Sequence, residues 1–212
     1  MSSQSLVLYE CPATRSDRVK FLLEEMQIPY EKKTLILSKS EHLSKEYLEI
    51  NPSGCVPFLI DSSADVKLIE SGAICHYLAQ KYKKNIYFPS EKNIKEQVAY
   101  DEVMFFITST LDPICFNLFF HTKRLPPEKR IASIAEESIK KFSRTIEFIS
   151  AKLEKNKYLL SDKLSTPDFI LVPTLLCIKE EVMKYPIVQR YIQNILELSS
   201  MQKVREDIKS LA

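Results

Sequence analysis

The sequence has little glycine: only Gly54 and Gly72 occur among 212 residues. A G-x-G-x-x-G turn or a P-loop needs several glycines within a few residues, so neither type of nucleotide site can form. Tryptophan is absent, and 30 basic residues stand against 28 acidic ones. Because the lysines alternate with glutamates instead of forming blocks, we expect neither a nucleic-acid partner nor a membrane surface as partner.

Disulfide and metal frameworks are also lacking. The cysteines are odd in number and form no C-x-x-C pair, which favours a reducing compartment, and we expect a cytoplasmic protein. The three histidines have no cysteine or carboxylate at ligand spacing, so no metal site is predicted. The five cysteines are Cys11, Cys55, Cys75, Cys115 and Cys177.

Targeting and membrane signals are missing as well. The first residues contain no basic segment followed by an apolar one. The longest apolar run, Phe169 to Ile178, is interrupted by Pro173 and Thr174. We therefore expect neither secretion nor a membrane span.

What the chain does contain, in its first 80 residues or so, is the pattern of a compact α/β unit. Strands are predicted at Leu6 to Tyr9, Tyr30 to Leu37, Val56 to Ile60 and Val66 to Ile69. A helix follows the first strand, with apolar residues at Val19, Leu22, Leu23 and Met26. Another helix is predicted to start at Ser71, which would be its N-cap. The predicted order is β-α-β-(α)-β-β-α.

Helical spacing dominates the rest of the chain. We predict an α/β domain over residues 1–83, a polar linker over 84–95 and an all-helical domain over 96–212. One long amphipathic helix is predicted to present an apolar face from Ile131 to Leu153. The segment Ser165 to Asp168 is a capping box that opens an apolar helix, which belongs at the centre of a bundle.

Two dipeptides are candidates for binding a peptide-like ligand. If the Val56-Pro57 bond is cis, the backbone of Val56 faces outward and can pair with an extended peptide; a trans bond would make an ordinary strand entrance. Glu70 can meet an ammonium group, and Ser71 at a helix N-terminus can meet a carboxylate. Plain helix capping is the alternative for this pair.

These dipeptides lie within two longer blocks. Asn-Pro-Ser-Gly-Cys-Val-Pro-Phe-Leu (51–59) and Ile-Glu-Ser-Gly-Ala-Ile-Cys-His-Tyr-Leu (69–78) resemble the N-P-x-G-x-V-P and E-S-x-A-I-x-x-Y-L blocks of cytosolic glutathione transferases. The resemblance covers nearly the whole chain. It implies an α/β thioredoxin-like N-terminal domain (βαβαββα, with a cis-proline) followed by an all-α C-terminal helical bundle. It further implies a homodimer that uses glutathione as co-substrate in detoxification, without metal or nucleotide.

The resemblance also assigns residues to glutathione. Val56, beside Pro57, would pair with the cysteinyl backbone of glutathione. Glu70 and Ser71 would bind its γ-glutamyl end. Cys55 stands where the family often has a lysine, so one contact is in doubt and the affinity is expected to be lower.

Two further positions match the family less closely. His42 resembles a residue that theta-like classes use near the glycyl carboxylate of glutathione, and a solvated helix histidine is the alternative. Asp101 occupies the place of an acid that in some classes reaches the ligand of the partner subunit. A charged helix surface is the alternative there.

The thiol of glutathione needs activation, because at a pKa of about 8.5 little of it is thiolate at neutral pH. Counted back from Arg18, Thr14 occupies the place of the catalytic serine in the serine-type theta, delta and phi-like classes. Its hydroxyl, beside a helix N-terminus, could stabilise the thiolate, although it could also only cap that helix. Ser16 and Tyr9 are weaker candidates for the same role.

A cysteine in the same loop suggests a different chemistry. The pattern Cys-Pro-x-x-x-x-x-Arg beginning at Cys11 also resembles the omega and dehydroascorbate-reductase-like classes, in which a cysteine forms a mixed disulfide with glutathione. Cys11 would then be the nucleophile of a thiol transferase. Its closeness to the strand residue Tyr9 argues against this, and a merely packed cysteine is the alternative.

Three functions follow. The first is conjugation of glutathione to a small hydrophobic electrophile, or peroxide reduction, through Thr14. The electrophile would bind between the two predicted domains, near 104–109 and 116–120, where the Asp112-Pro113 step suggests a kink. The second is thiol transfer or dehydroascorbate reduction through Cys11. The third is a non-catalytic module that uses the same fold for protein contacts.

Overall fold

The computed structural model describes residues 5–209, which divide into two compact units. One unit contains residues 5–84 together with 198–209, and the other contains residues 85–197. The chain leaves the first unit at the position where the polar linker is predicted to begin. The last helix, Ser199–Lys209, belongs to the first unit, whereas the sequence pattern assigned it to the helical domain.

A four-stranded mixed sheet forms the first unit. Its strands are β1 (Leu6–Glu10), β2 (Glu31–Thr34), β3 (Phe58–Asp61) and β4 (Val66–Leu68), in the order β2-β1-β3-β4. β1 is parallel to β2 and antiparallel to β3, which is antiparallel to β4. A parallel pair needs a crossover connection, and helix α1 (Ser16–Met26) supplies it. The predicted thioredoxin-like α/β topology is confirmed.

Helices complete this unit as the hydrophobic pattern indicated. The four apolar positions predicted for α1 are all fully buried, so the helical period was interpreted correctly. Helix α2 (Lys45–Ile50) precedes β3, and helix α3 (Ser71–Tyr82) follows β4. The last helix packs against α1.

The connection from α2 to β3 depends on a glycine. Gly54 has φ of +59°, and its amide donates to the carbonyl of Asn51 at 3.0 Å. A Cβ at this position would lie 3.2 Å from the His42 carbonyl oxygen and from Leu43 Cδ2. The backbone conformation and the available space therefore both favour glycine here.

The second unit is helical, and within the described residues 85–197 the only β feature is a bridge between Tyr87 and Ser165. Its helices are α4 (Ile94–Phe105), α5 (Asp112–Phe119), α6 (Ala132–Lys155), α7 (Thr166–Leu176), α8 (Lys179–Val182) and α9 (Pro186–Leu196). The predicted all-α bundle is confirmed.

The path from α4 to α5 is one continuous helical run. Pro113 cannot donate to the preceding turn, and a π-helical turn over Phe106–Leu111 lies just before it. By length and composition the run Ile94–Arg124 could cross a membrane, with a mean hydropathy of 1.6 in its most apolar window. A third of that window is buried, and one such helix by itself is weak evidence for a membrane span.

Helix α6 buries most of the face that its sequence predicts. Ile134 and Ile139 are only half-buried, and Ile131, which lies before the first turn of the helix, is 50% exposed. The buried members of the face include Ala135, Ser138, Phe142, Ile146, Ile149 and Leu153.

Asp168 organises the start of the central helix α7. Its carboxylate accepts hydrogen bonds from the Ser165 amide at 2.8 Å and hydroxyl at 2.6 Å, so the predicted capping box is confirmed. It also accepts from the Leu159 amide at 3.1 Å and from the Tyr191 hydroxyl at 2.7 Å. Burial raises the pKa of this carboxyl, and the four donors oppose that shift. One fully buried side chain thus joins a loop, α7 and α9.

Replacing Asp168 by Ala should destabilise the protein by about 3 kcal/mol or more, because several buried donors would lose their acceptor. Asp162→Ala, an exposed acid in the preceding loop, is the control and should change the free energy of unfolding by less than about 0.5 kcal/mol. Urea unfolding of both variants makes the comparison. Equal midpoints would show that the network contributes little.

Gly54→Ala should cost about 1–2 kcal/mol of stability, because alanine would have to adopt a left-handed conformation against the His42 carbonyl. Gly72→Ala is the control, since Gly72 lies in α3 without a positive φ and should be neutral or stabilising by up to about 1 kcal/mol. Thermal unfolding distinguishes the two. If both variants shifted Tm equally, conformation at position 54 would not be the cause.

Candidate functional site

The loop between β1 and α1 carries the candidate thiol-activating residues. Thr14 is half-buried, and its Oγ1 donates to the Cys11 carbonyl at 2.6 Å and accepts from the Ser16 amide at 3.1 Å. The Thr14 carbonyl accepts from the Asp17 amide at 3.1 Å. The N-cap position of α1 belongs to Arg15, which makes no side-chain capping hydrogen bond, so Thr14 is not the cap that the sequence offered as its alternative role. Its hydroxyl instead holds the loop to the first helical amide, near the positive end of α1.

Ser16 is the first residue of α1 and is fully buried. Its Oγ accepts from the Cys11 amide at 3.2 Å and lies 3.0 Å from Thr14 Oγ1. These contacts fix the loop from inside. A buried hydroxyl of this kind supports Thr14 and is poorly placed to meet the sulfur of a ligand.

Cys11 is half-buried, and its thiol donates to the Pro12 carbonyl at 3.6 Å. Burial raises the pKa of this thiol, and the charges of Glu10 and Asp17 raise it further, while the Leu37 amide and a nearby lysine oppose the shift. The thiol form therefore prevails at neutral pH. A raised pKa is the opposite of what a thiolate nucleophile needs.

The segment before β3 presents the candidate binding residues for a peptide backbone. The Val56-Pro57 bond is cis, as the resemblance implied. The Cys55 carbonyl accepts from the Tyr47 hydroxyl at 2.6 Å and from Asn51 Nδ2 at 2.9 Å. These two anchors hold the backbone that leads into Val56.

Cys55 also has a contact through its side chain. Its sulfur lies 2.9 Å from Ser53 Oγ, which in turn donates to Asn51 Oδ1 at 2.6 Å. The position thus presents a half-buried thiol in a small polar network, and it brings no positive charge.

At the start of α3, the structure corrects the expected cap. The helix begins at Ser71, but the N-cap position belongs to Glu70, which has φ of +69° and makes no capping hydrogen bond with its side chain. Ser71 is buried, and its Oγ accepts from Arg18 Nη1 at 3.1 Å. The serine hydroxyl points to α1 instead of capping, and the exposed Glu70 carboxylate stays available in a sparsely populated backbone region.

His42 lies in a short 3-10 turn, Glu41–Leu43, beside Gly54. Its Nδ1 is buried, and among the described residues this atom has no hydrogen-bond partner. An unpaired buried ring nitrogen beside a binding segment is a candidate for a ligand contact.

The remaining two candidates differ in their surroundings. Tyr9 packs its ring against Tyr47 at 5.4 Å and Phe58 at 5.9 Å between ring centroids, with Lys33 Nζ 5.4 Å from its own ring. Asp101 belongs to the second unit, where it is exposed on α4. The other site candidates all belong to the first unit.

Sequence reasoning missed the residues that position the others. Arg18 enters the sequence analysis as a reference for counting and as the arginine of the Cys11 pattern, yet in the structure it connects α1 to Ser71. Tyr47 and Asn51 hold Cys55 in place, and their only sequence signal is the Asn-Pro turn. No sequence pattern indicates a role for Lys20, although it is almost fully buried.

Comparisons with known proteins show which family the chain resembles. Residues 4–80 match the family described as glutathione S-transferase, N-terminal domain, and residues 111–199 match glutathione S-transferase, C-terminal domain. Glutathione S-transferase 1 from Zea mays is 32% identical over 199 residues, which cover 90% of each chain.

Solved structures show the same fold. Glutathione transferase F7 from Populus trichocarpa superposes with a TM-score of 0.84 at 25% identity, covering 96% of this chain and 99% of that one. Glutathione transferase URE2P6 from Phanerochaete chrysosporium, solved with oxidized glutathione, gives a TM-score of 0.85 at 24% identity, covering 99% and 98%. With both domains matched and a relative of this similarity along nearly its whole length, the chain belongs to the glutathione S-transferase family of enzymes.

Proposed function

We propose that this glutathione S-transferase conjugates glutathione to a small hydrophobic electrophile, with Thr14 as the hydrogen-bond donor to the sulfur. The observation that supports the proposal is the position of Thr14 Oγ1, half-buried at the start of α1 and 3.1 Å from the Ser16 amide. The relatives named above are glutathione transferases, and one structural neighbour holds oxidized glutathione.

The energy required is within reach of this arrangement. Lowering the pKa of a thiol by two units needs about 2.7 kcal/mol of differential stabilisation. A hydrogen bond to a charged acceptor contributes about 1.5–3 kcal/mol. A helix N-terminus adds about 0.3–1 kcal/mol. One hydroxyl beside the first turn of α1 is therefore sufficient to make the thiolate the main form near neutral pH.

The hydroxyl of Thr14 must change its acceptor for this role. It now donates to the neutral Cys11 carbonyl. A thiolate is a charged acceptor and forms the stronger bond, so rotation of the hydroxyl hydrogen towards sulfur is favoured when glutathione is bound. The Ser16 amide still donates to Oγ1 and polarises the hydroxyl in the same direction.

The residues that we propose for binding glutathione all belong to the first unit. The backbone of Val56 pairs with the cysteinyl residue, and the Glu70 carboxylate meets the γ-glutamyl ammonium. The first-turn amides of α3, with Ser71 held by Arg18, receive the γ-glutamyl carboxylate. His42, whose Nδ1 lacks a partner, meets the glycyl carboxylate.

Cys55 is expected to weaken the binding of glutathione. A lysine there would add a positive charge, and Cys55 offers only a thiol beside Ser53. We therefore propose an affinity for glutathione below that of relatives with a lysine.

The reaction follows from the thiolate. Its sulfur attacks an electrophilic carbon, a carbon–sulfur bond forms, and the leaving group departs with the electron pair of the broken bond. The same thiolate can attack a hydroperoxide oxygen, after which a second glutathione yields the disulfide, an alcohol and water. Detoxification of apolar compounds fits both reactions.

Turnover of chlorodinitrobenzene and retention on immobilised glutathione test the proposal. Thr14→Ala should lower kcat by about a hundredfold, because the thiolate loses its donor. Thr14→Ser should keep most of the activity, and Cys11→Ser should match the wild type because its thiol is not the nucleophile.

The opposite pattern, with activity lost in Cys11→Ser and kept in Thr14→Ala, would establish thiol transfer through Cys11. A wild-type protein that neither binds glutathione nor turns over the electrophile would contradict both chemistries. A role in protein contacts would then remain.

We also propose that the protein is a cytoplasmic homodimer. All five cysteines are free, which suits a reducing compartment. On α4, Ile94, Val98 and Phe105 recur at helical spacing with exposures of 68%, 59% and 67%. Charged residues alternate with them on the same helix, which favours a protein surface as the partner over lipid. These charges are Lys95, Glu96, Asp101 and Glu102.

Sedimentation analysis should therefore give a dimer for the wild type. The double variant Val98→Glu/Phe105→Glu should give a monomer, because it introduces charge into the apolar contact. Lys95→Glu, an exposed change on the same helix, is the control and should remain dimeric. A monomeric wild type would contradict the proposal.

A further inference from the structure

A buried cluster of charges lies directly beneath the β1–α1 loop. Lys20 Nζ lies 3.0 Å from Glu10 Oε2 and 3.0 Å from Asp17 Oδ1. The relative exposures of Lys20, Glu10 and Asp17 are 1%, 0% and 5%. The two contacted oxygens have no other hydrogen-bond partner among residues 5–209. The bridge therefore depends on Lys20 alone.

The two carboxylates lie on either side of the β1–α1 loop in the sequence. Glu10 ends β1, immediately before Cys11, and Asp17 lies in the first turn of α1. Lys20 thus joins the two ends of the segment 11–16, which contains Thr14. The hydroxyls of Thr14 and Ser16 and two backbone hydrogen bonds at the helix start also hold this segment.

The conformation of that segment needs such support. Ala13, immediately before Thr14, has φ of +59° although it is not glycine. A residue in this region persists only where its surroundings determine it. The backbone amide of Ala13 helps to favour the ionised form of the Asp17 carboxylate.

We propose that Lys20, with Glu10 and Asp17, positions Thr14 for activation of glutathione, and that the bridge requires Asp17 to be ionised. This inference rests on the proposed function. Lys20 and its two carboxylates touch neither the thiol nor the electrophile, so they are positioning residues and not catalytic ones.

Protonation of Asp17 is the natural way to weaken this bridge. Burial raises the pKa of Asp17 to about 6, Lys20 opposes the shift, and Glu10 adds to it. The other titratable or charged groups around the cluster are Asp207 on the last helix, Lys32 on β2, the Cys11 thiol and Tyr30.

The sign of the effect separates catalysis from stability. Because the pKa of Asp17 is raised in the folded state, this group binds its proton more tightly when folded, and its contribution to stability becomes more favourable as pH falls through about 6. Activity should change in the other direction, since the neutral carboxyl holds Lys20 and the loop less firmly. A purely structural role would move both quantities together.

The test measures kcat for conjugation of chlorodinitrobenzene from about pH 5 to about pH 8 in the wild type, Asp17→Asn and Asp207→Asn. Ionisation of glutathione alone gives a slope of about one in log kcat against pH. We expect the wild type to exceed this slope below about pH 6 and Asp17→Asn to keep it, with kcat about tenfold lower at neutral pH. KM for glutathione should change little.

Asp207→Asn is the matched control. Asp207 also contacts Lys20, at 3.4 Å, but lies on the last helix and not beside the loop. This variant should retain the wild-type kcat and profile. The proposal is overturned if both variants lose activity equally and in step with Tm, or if Asp17→Asn keeps the steep limb of the wild type.

Amide hydrogen exchange gives a readout that needs no turnover. Asp17→Asn should speed exchange in the segment 11–16 about tenfold or more while β1 and α1 stay protected, and Asp207→Asn should not. If the wild type proves inactive, the proposed conjugation fails, and this measurement still decides on the bridge. Unchanged exchange in Asp17→Asn would then overturn it.

Discussion

The ammonium group of Lys20 is the contact on which the first unit depends most. Burying an ion costs several kcal/mol unless partners compensate, and here one lysine serves two buried carboxylates from two different elements. The same group reaches Asp207 on the last helix, and Asp207 pairs with Lys32 at 2.7 Å. One side chain therefore ties together the sheet, α1 and a helix that arrives from the far end of the chain.

Much of the fold could be predicted because local patterns and tertiary structure agree. The apolar residues of α1 and the box formed by Ser165 and Asp168 are short-range signals, and each is confirmed. The placement of the last helix could not be predicted from its own sequence. Its contacts with α1 include Ser200 with Glu25 and Lys203 with Glu24, and the residues of each pair are far apart in sequence. Neither the hydrophobic period of a helix nor its capping residues indicate a partner so distant in sequence.

Lys20 shows why the buried charge cluster could not be predicted from the helical pattern. A lysine between Val19 and Phe21 is interpreted as the solvent-facing side of an amphipathic helix. The signal that contradicted this was present in β1, where alternation puts Glu10 on the same face as Leu6 and Leu8. A charged residue on a buried face needs a partner, and Lys20 is one of the few cations near enough in the fold to supply it.

The start of α3 illustrates a different limit. The pattern correctly predicted the first helical residue, but it assigned the cap to Ser71 because serine is a common N-cap. In the structure, Arg18 from α1 uses the Ser71 hydroxyl as an acceptor, and the cap position passes to Glu70 with its positive φ. A tertiary hydrogen bond overrode the local preference. The Glu70 carboxylate itself makes no capping hydrogen bond.

The loop contact of Thr14 and its proposed role in catalysis are compatible because they use different parts of one hydroxyl. The oxygen accepts from the Ser16 amide, and this contact joins the loop to the start of α1. The hydrogen is directed at the Cys11 carbonyl and can be redirected to a sulfur anion without breaking the contact with Ser16. A serine or threonine at this position can therefore serve the fold and the chemistry at once. An aliphatic residue could do neither, and a cysteine thiol, as a weak donor and acceptor, would hold the Ser16 amide poorly.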